Sequence, residues 1–277
     1  MTSIRDHEFP TSEPVRLFVE LGVGKVAVHA AETTTSTVHV EGPGADEVRV
    51  EQSGRQLSVI GPKQRGLTFG GGAKLSVTIT VPTSSQVSTK TGSADVDLDG
   101  ELAAVQLRSG SGDMSVELAT GPAVLETGSG NIRVGEAGAD LRLKSGSGDV
   151  SVGQAGRSLV ASTGSGDVEV GTTRGPVSVK TGSGDLRVNS AADDVTLTTG
   201  SGDLEVRSVG SGRITGKGAS GDIKIAVPAG VPVWTDVTTA HGRIQSSLRG
   251  AGQPVDGQDH IEIRARTASG DITLVEL

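Results

Sequence analysis

Residues 163–180 read TGSGDVEVGTTRGPVSVK, and the five-residue turn at their head returns as TGSGD from Thr181. Variants of this turn end at Asp95, Asp113, Asn131, Asp149, Asp167, Asp185 and Asp203, always 18 residues apart. A fixed period of this size marks a stacked repeat, in which each unit supplies one layer and none buries a core alone. Two pairs of positions in each unit are apolar, one and three residues after the Asp and ten and twelve after it: Val168, Val170, Val177 and Val179 in the quoted copy. Apolar residues two apart over short segments are half-buried strands. Two such strands with a turn at either end make a flattened coil, and stacked coils pair in parallel about 4.8 Å apart. The expected fold is all-β: a single-domain parallel β-solenoid with two short strands per 18-residue coil.

Working outward from the quoted copy, the regular array spans residues 91–217. Before it, residues 15–90 alternate less regularly (Val15, Leu17, Val19; Val26, Val28; Val38, Val40; Leu75, Val77, Ile79, Val81) and read as irregular N-terminal β coils. Residues 1–14 are polar, with Pro10 and Pro14, and read as an arm or cap. After Asp203 a 19-residue unit leads to GASGD (218–222), and IAVPAGVPVW (225–234) interrupts with two prolines that exclude a central strand. Residues 218–277 read as irregular C-terminal coils and a cap, with TASGD (267–271) in the last coil.

The turn residues carry a structural expectation. Serine stands two before the Asp at Ser93, Ser111, Ser129, Ser147, Ser165, Ser183, Ser201, Ser220 and Ser269, and the Asp position continues at Asp222 and Asp271. Ser and Asp side chains accept from turn N–H groups, and the glycines beside them, Gly166 among them, supply positive φ. Thr or Ser four before the Asp (Thr91, Ser109, Thr127, Ser145, Thr163, Thr181, Thr199) has inward parity, so its hydroxyl is expected to bond the turn backbone. A calcium ladder on the Asp column is the competing reading. Asn131 in mid-column favours hydrogen bonding over charge, and the spacing differs from the G-G-x-G-x-D β-roll. No metal ligand, catalytic residue or cofactor site is assigned. Outward positions such as Asp97, Ser115, Arg133, Ser151, Glu169, Arg187 and Glu205 are mixed and read as a solvated charge ladder.

Composition excludes more than it identifies. Aromatic residues are 1% of the chain, which leaves no platform of rings for stacking bases, and a net charge of -8 without a visible basic stripe argues against nucleic acid. There is no cysteine, hence neither disulfide nor thiolate ligand. The start, MTSIRDHEFPTSEPVR, has no apolar h-region and no run is long enough for a membrane span, so the sequence as written predicts a cytoplasmic protein that reaches the cell surface only by an unrecognised export route. GRITGKG (212–218) lacks Walker spacing, and His29 and His39 are read as surface residues rather than ligands. The longest insertions are 61–72 and 246–260, the latter with Asp256 and Asp259.

The TGSGDV and TGSGDL units with their Val-x-Val strands resemble the bacterial putative-adhesin family of β-strand-repeat proteins, a domain of unknown function, over roughly Val15 to Leu277. The resemblance implies a β-solenoid and surface attachment. Three functions follow as expectations: a non-enzymatic, adhesin-like module that binds a protein or glycan; an intracellular structural protein that self-associates or docks a partner; and, most distantly, a carbohydrate-active β-helix enzyme using carboxylates such as Asp256 or Asp259.

Overall fold

Alternation of Val, Leu and Ile with polar residues puts one face of every short strand inward, and the strands pair because their backbone groups have no other partners once that face is buried. The computed structural model describes residues 3–62, 74–249 and 260–277. It divides into two compact units, Met1–Ala139 and Asp140–Leu277, each all-β and each a parallel β-solenoid with the strand leading into a turn in one sheet and the strand leaving it in the other.

In unit 1 the chain runs β1 (Ser3–Pro10), β2 (Arg16–Leu21), β3 (Gly24–Ala31), β4 (Thr35–Gly42), β5 (Arg49–Ser53), β6 (Gln56–Ile60), β7 (Leu75–Pro82), β8 (Ser85–Thr91), β9 (Asp95–Ser109), β10 (Met114–Ala119), β11 (Ala123–Thr127) and β12 (Ile132–Ala137). The post-turn sheet is ordered β1-β4-β7-β3-β9-β10-β12, the pre-turn sheet β5-β6-β2-β8-β9-β11, with the long β9 serving both. Pairing is parallel except where β1, β4 and β5 run antiparallel at the outer edge. The coil formed by β2 and β3 comes first in the chain but lies between β6/β7 and β8/β9. Its turn, Gly22-Val23-Gly24-Lys25, occupies the place of the repeat turn with lysine where the repeat has Asp, which is why the 18-residue count overlooks it.

Unit 2 continues with β13 (Leu141–Ser145), β14 (Val150–Ala155), β15 (Leu159–Ser162), β16 (Val168–Thr173), β17 (Val177–Thr181), β18 (Leu186–Ala191), β19 (Val195–Ser201), β20 (Leu204–Val206), β21 (Gly212–Ser220), β22 (Ile223–Val227), β23 (Val233–His241), β24 (Ile244–Ser246), β25 (Ile261–Ser269) and β26 (Ile272–Glu276). All its pairings are parallel: β13-β15-β17-β19-β21-β25-β23 before the turn and β14-β16-β18-β20-β22-β26-β24 after it. TASGD at 267–271 lies in the last coil of the chain, and the outermost coil of the stack is the preceding one, β23/β24. The chain places β23/β24 first at the outside and then inserts β25/β26 beneath it. The reason is burial: Ile261, Ile263, Ile272 and Leu274 are at most 2% exposed, whereas Trp234 and Ile244 of the outer coil are 52% and 48% exposed.

The core consists of aliphatic columns running through each stack. In unit 2 Val150, Val168, Leu186, Leu204, Ile223 and Ile272 form one such column, all at most 2% exposed. Each buried aliphatic contributes roughly 1.5 to 3 kcal/mol, and the registers keep every column straight. Straight inward columns imply straight outward rows. Residues 63–73 and 250–259 lie outside the described residues, and with them most of the two insertions and both Asp256 and Asp259.

Candidate functional site

Three sets of bonds stitch the turn at 181–185 to the one beneath it. The Gly182 N–H donates to the Gly164 carbonyl (3.0 Å), and the Thr181 hydroxyl donates to the Gly166 carbonyl (3.2 Å). The Asp185 N–H donates to Asp167 Oδ1 (2.8 Å), as Asp203 does to Asp185, Asp222 to Asp203 and Asp271 to Asp222. Unit 1 has the same carboxylate ladder, from Asp113 to Asp95 (3.0 Å) and from Asn131 to Asp113 (2.7 Å). The Asp side chain thus serves the neighbouring coil rather than its own turn. The hydroxyl that closes the turn itself sits four residues before the Asp: the Gly166 N–H donates to Thr163 Oγ1 (3.1 Å) and that of Gly148 to Ser145 Oγ (2.9 Å). Ser111, Ser129, Ser147, Ser165, Ser183 and Ser201, expected to accept turn N–H groups, point to solvent instead.

At Gly166 glycine is required for a different reason from the expected one. Gly166 does not occupy the left-handed region; among the glycines preceding an Asp, Gly202, Gly221 and Gly270 do, with φ of 145°, 126° and 140°. At Gly166 the constraint is close approach: a Cβ would lie 2.2 Å from the Gly148 carbonyl oxygen, and at Gly130 in unit 1 a Cβ would lie 2.0 Å from that of Gly112. Backbone stacked on backbone leaves no room for any side chain.

On the post-turn face of unit 2, Ser151, Glu169, Arg187, Glu205, Lys224 and Thr273 form one row. The Arg187 Nε donates to Glu205 Oε2 (2.8 Å), with Arg207 and Lys224 at 3.2 and 3.8 Å from the same carboxylate. The hydrogen bond from Arg187 is the main cause that holds the Glu205 carboxyl below its ordinary range. In unit 1, Lys25 pairs with Asp97 (2.7 Å), His29 with Asp99 (3.3 Å) and His39 with Asp6 (2.6 Å). His29 and His39 flank β7 and meet separate acids. Among the described residues no group of three or more His, Asp or Glu side chains is placed to hold a metal ion. An open groove of about 520 Å³ on the pre-turn face of unit 1, lined by Arg16, Phe18, Gln86, Ser88, Gln106 and Val124 among others, has no carboxylate in its wall.

The pre-turn face of unit 2 is different, and it overturns the expectation that the chain has no basic stripe. One row runs Lys144, Ser162, Lys180, Thr198, Lys217, Arg266. Beside it runs a second, Arg142, Val160, Ser178, Thr196, Thr215, Arg264. Arg142, Lys144, Lys180 and Lys217 are exposed and make no ion pair among the described residues. Arg264 and Arg266 are committed to Glu262 and Asp236, and Arg264 also stands over the Trp234 ring, 5.7 Å from its centroid. A third row carries Asp194 and Glu262 with Arg213, so the positive track is bordered by mixed charge. Part of this row was open to sequence reading, since Lys144 and Lys180 both stand thirteen residues after an Asn or Asp of the repeat. Lys217 and Arg266 were not, because a 19-residue unit and the inserted coil break the count.

The family model described as Toastrack DUF4097 matches residues 16–275. The chain belongs to that family. No curated protein matches it. Among solved structures, a putative adhesin from Parabacteroides distasonis is similar over 99% of this chain and 97% of its own, at 16% identity and a TM-score of 0.54. A putative adhesin from Bacteroides fragilis (17% identity, 99% and 97% covered, TM-score 0.41) and a putative lipid binding protein from Parabacteroides distasonis (15% identity, 98% and 96% covered, TM-score 0.40) are also similar. For this Toastrack chain the likeness to the first of these is a likeness of fold. Among the described residues no helix is long and apolar enough to cross a membrane.

Proposed function

We propose that this chain is a non-enzymatic, adhesin-like binding or interaction module that meets a protein or glycan through the outward faces of its sheets. The observation that supports this most is the row of exposed, unpaired lysines Lys144, Lys180 and Lys217, with Arg142 in the row beside it, on one regular sheet. Their pairing would stabilise the fold only weakly, because exposed ion pairs contribute about 0 to 1 kcal/mol. Charge left unmatched on a regular surface is available to a partner. Such a module acts where it meets its ligand, so the test is topological. A tagged copy in its native cells is expected to be digested by added protease before lysis. Protection until lysis, with digestion afterwards, overturns the adhesin role.

A second reading, an intracellular structural protein that self-associates, is supported by the outermost coil of unit 2, where Trp234 and Ile244 are half exposed at the end of the stack. Open strand edges are sites of edge-to-edge pairing. Sedimentation that rises with concentration, and falls for Trp234→Lys with Ile244→Lys, is the result that reading requires.

A further inference from the structure

We propose that the pre-turn face of unit 2 binds an extended acidic polysaccharide, with ligand carboxylates on Lys144, Lys180 and Lys217 and ligand hydroxyls on the Ser and Thr side chains between them. The proposal deepens the binding-module reading and rests on it.

The register makes the row a ruler. Lys144 pairs with Ser162, Ser162 with Lys180, Lys180 with Thr198 and Thr198 with Lys217, all in parallel strands. Strands lie about 4.8 Å apart, so successive lysines are separated by about 10 Å along a straight line. Between and beside them stand hydroxyls: Ser162 and Thr198 in the row itself, Ser178, Thr196 and Thr215 in the row next to it. The face therefore matches a straight polymer that carries negative charge at intervals and hydrogen-bonding groups in the gaps. An acidic glycan in an extended conformation has this chemistry, since its uronate carboxylates are separated by ring hydroxyls that both donate and accept.

Other polyanions fit less well. Each strand of a DNA duplex presents a charge about every 3.4 Å, much denser than this row, and single strands are held by several stacked aromatic rings. Trp234, at the far edge, is the face's one aromatic side chain among the described residues. Membrane surfaces are bound by a broad basic field together with apolar side chains that enter the acyl boundary. Here the cations are aligned, and Val160 and Trp234 are the exposed large apolar residues of the face.

The test uses the full chain and polygalacturonate as probe, with neutral dextran, single-stranded DNA and phosphatidylserine vesicles as alternatives. Binding to polygalacturonate is expected at about 0.01 M salt and lost near 1 M, as the screening length falls from about 30 to about 3 Å. Replacing Lys144, Lys180 and Lys217 together by Gln is expected to weaken it roughly tenfold, as three exposed contacts at about two- to threefold each require. The control, Lys90→Gln with Arg108→Gln in unit 1, leaves it unchanged. Should the triple variant fail to fold, acetylation of the wild-type lysines followed by mass spectrometry gives the same answer: polygalacturonate protects Lys144, Lys180 and Lys217 and not Lys90. Absence of polygalacturonate binding, equal binding by the folded triple variant, absence of protection, or tighter binding to DNA or vesicles overturns the proposal. The wider reading fails separately, by protease protection on intact cells.

Discussion

Each unit carries the same coil position, thirteen residues after the Asp in the regular copies, on the outside of its own pre-turn sheet, and the two use it differently. In unit 1 the row reads Glu20, Lys90, Arg108, Glu126, and its charges are matched: Lys90 lies 4.0 Å from Glu20 and Arg108 3.3 Å from Glu126. In unit 2 it reads Lys144, Ser162, Lys180, Thr198, Lys217, with no acid among them. The cores beneath are alike. Val105 and Leu107 are buried in unit 1 as Val177 and Val179 are in unit 2. Burial dictates one side of each strand and leaves the other side free, so the outward rows can diverge while the fold does not.

If that is right, changes to the shared backbone should hurt both units alike. Gly130→Val and Gly166→Val put side chains at 2.0 and 2.2 Å from a carbonyl oxygen, and each is expected to lower stability by about 3 kcal/mol or more in thermal unfolding. Wild-type melting for either would mean that the stacks yield where the comparison says they cannot. Next in size, Asp167→Ala removes the acceptor for the Asp185 N–H and should cost about 1 to 2 kcal/mol. Asp167→Asn, which copies what unit 1 already does at Asn131, should cost less than half of that. A large loss for Asn, together with a calcium-dependent melting point in the wild type, would favour the metal ladder.

The rows themselves should separate the units. Arg108→Glu sets a second carboxylate beside Glu126 and is expected to lower stability by about 0.5 to 1 kcal/mol, whereas Lys180→Glu, between Ser162 and Thr198, should stay within about 0.5 kcal/mol. Equal effects would erase the distinction between matched and unmatched rows. A comparably small effect concerns pH. The folded-state pKa of Glu205 is depressed, first by its hydrogen bond from Arg187, so its contribution is present above the unfolded carboxylate range and is lost as pH falls through the folded value. At this part-buried pair, open to solvent on the arginine side, the loss should be under about 1 kcal/mol and should shrink in salt. Glu205→Gln should flatten the acid limb of the stability curve, and an unchanged acid limb would show that the pair contributes nothing.

Much of the fold was legible before any coordinates. Inward parity of Val168, Val170, Val177 and Val179 and of Thr163 and Thr181 is a matter of counting, because a strand alternates with period two. The coil of β2 and β3 was not legible as a repeat, since Lys25 stands where the count looks for Asp. Gly166 was legible as necessary but for the wrong cause, because φ belongs to one residue and close approach to two. The positive row was half legible, through Lys144 and Lys180, and became a track once the register joined them to Lys217.

An 18-residue period with alternating apolar pairs is enough to specify a parallel β-solenoid with two strands per coil, because stacking such coils is what buries those side chains. The order of the end coils, β2/β3 beneath β6/β7 in unit 1 and β25/β26 beneath β23/β24 in unit 2, is set by packing between distant parts of the chain. Period and parity are properties of consecutive residues, whereas stacking order is settled by which coil buries its apolar face best against coils distant in the chain.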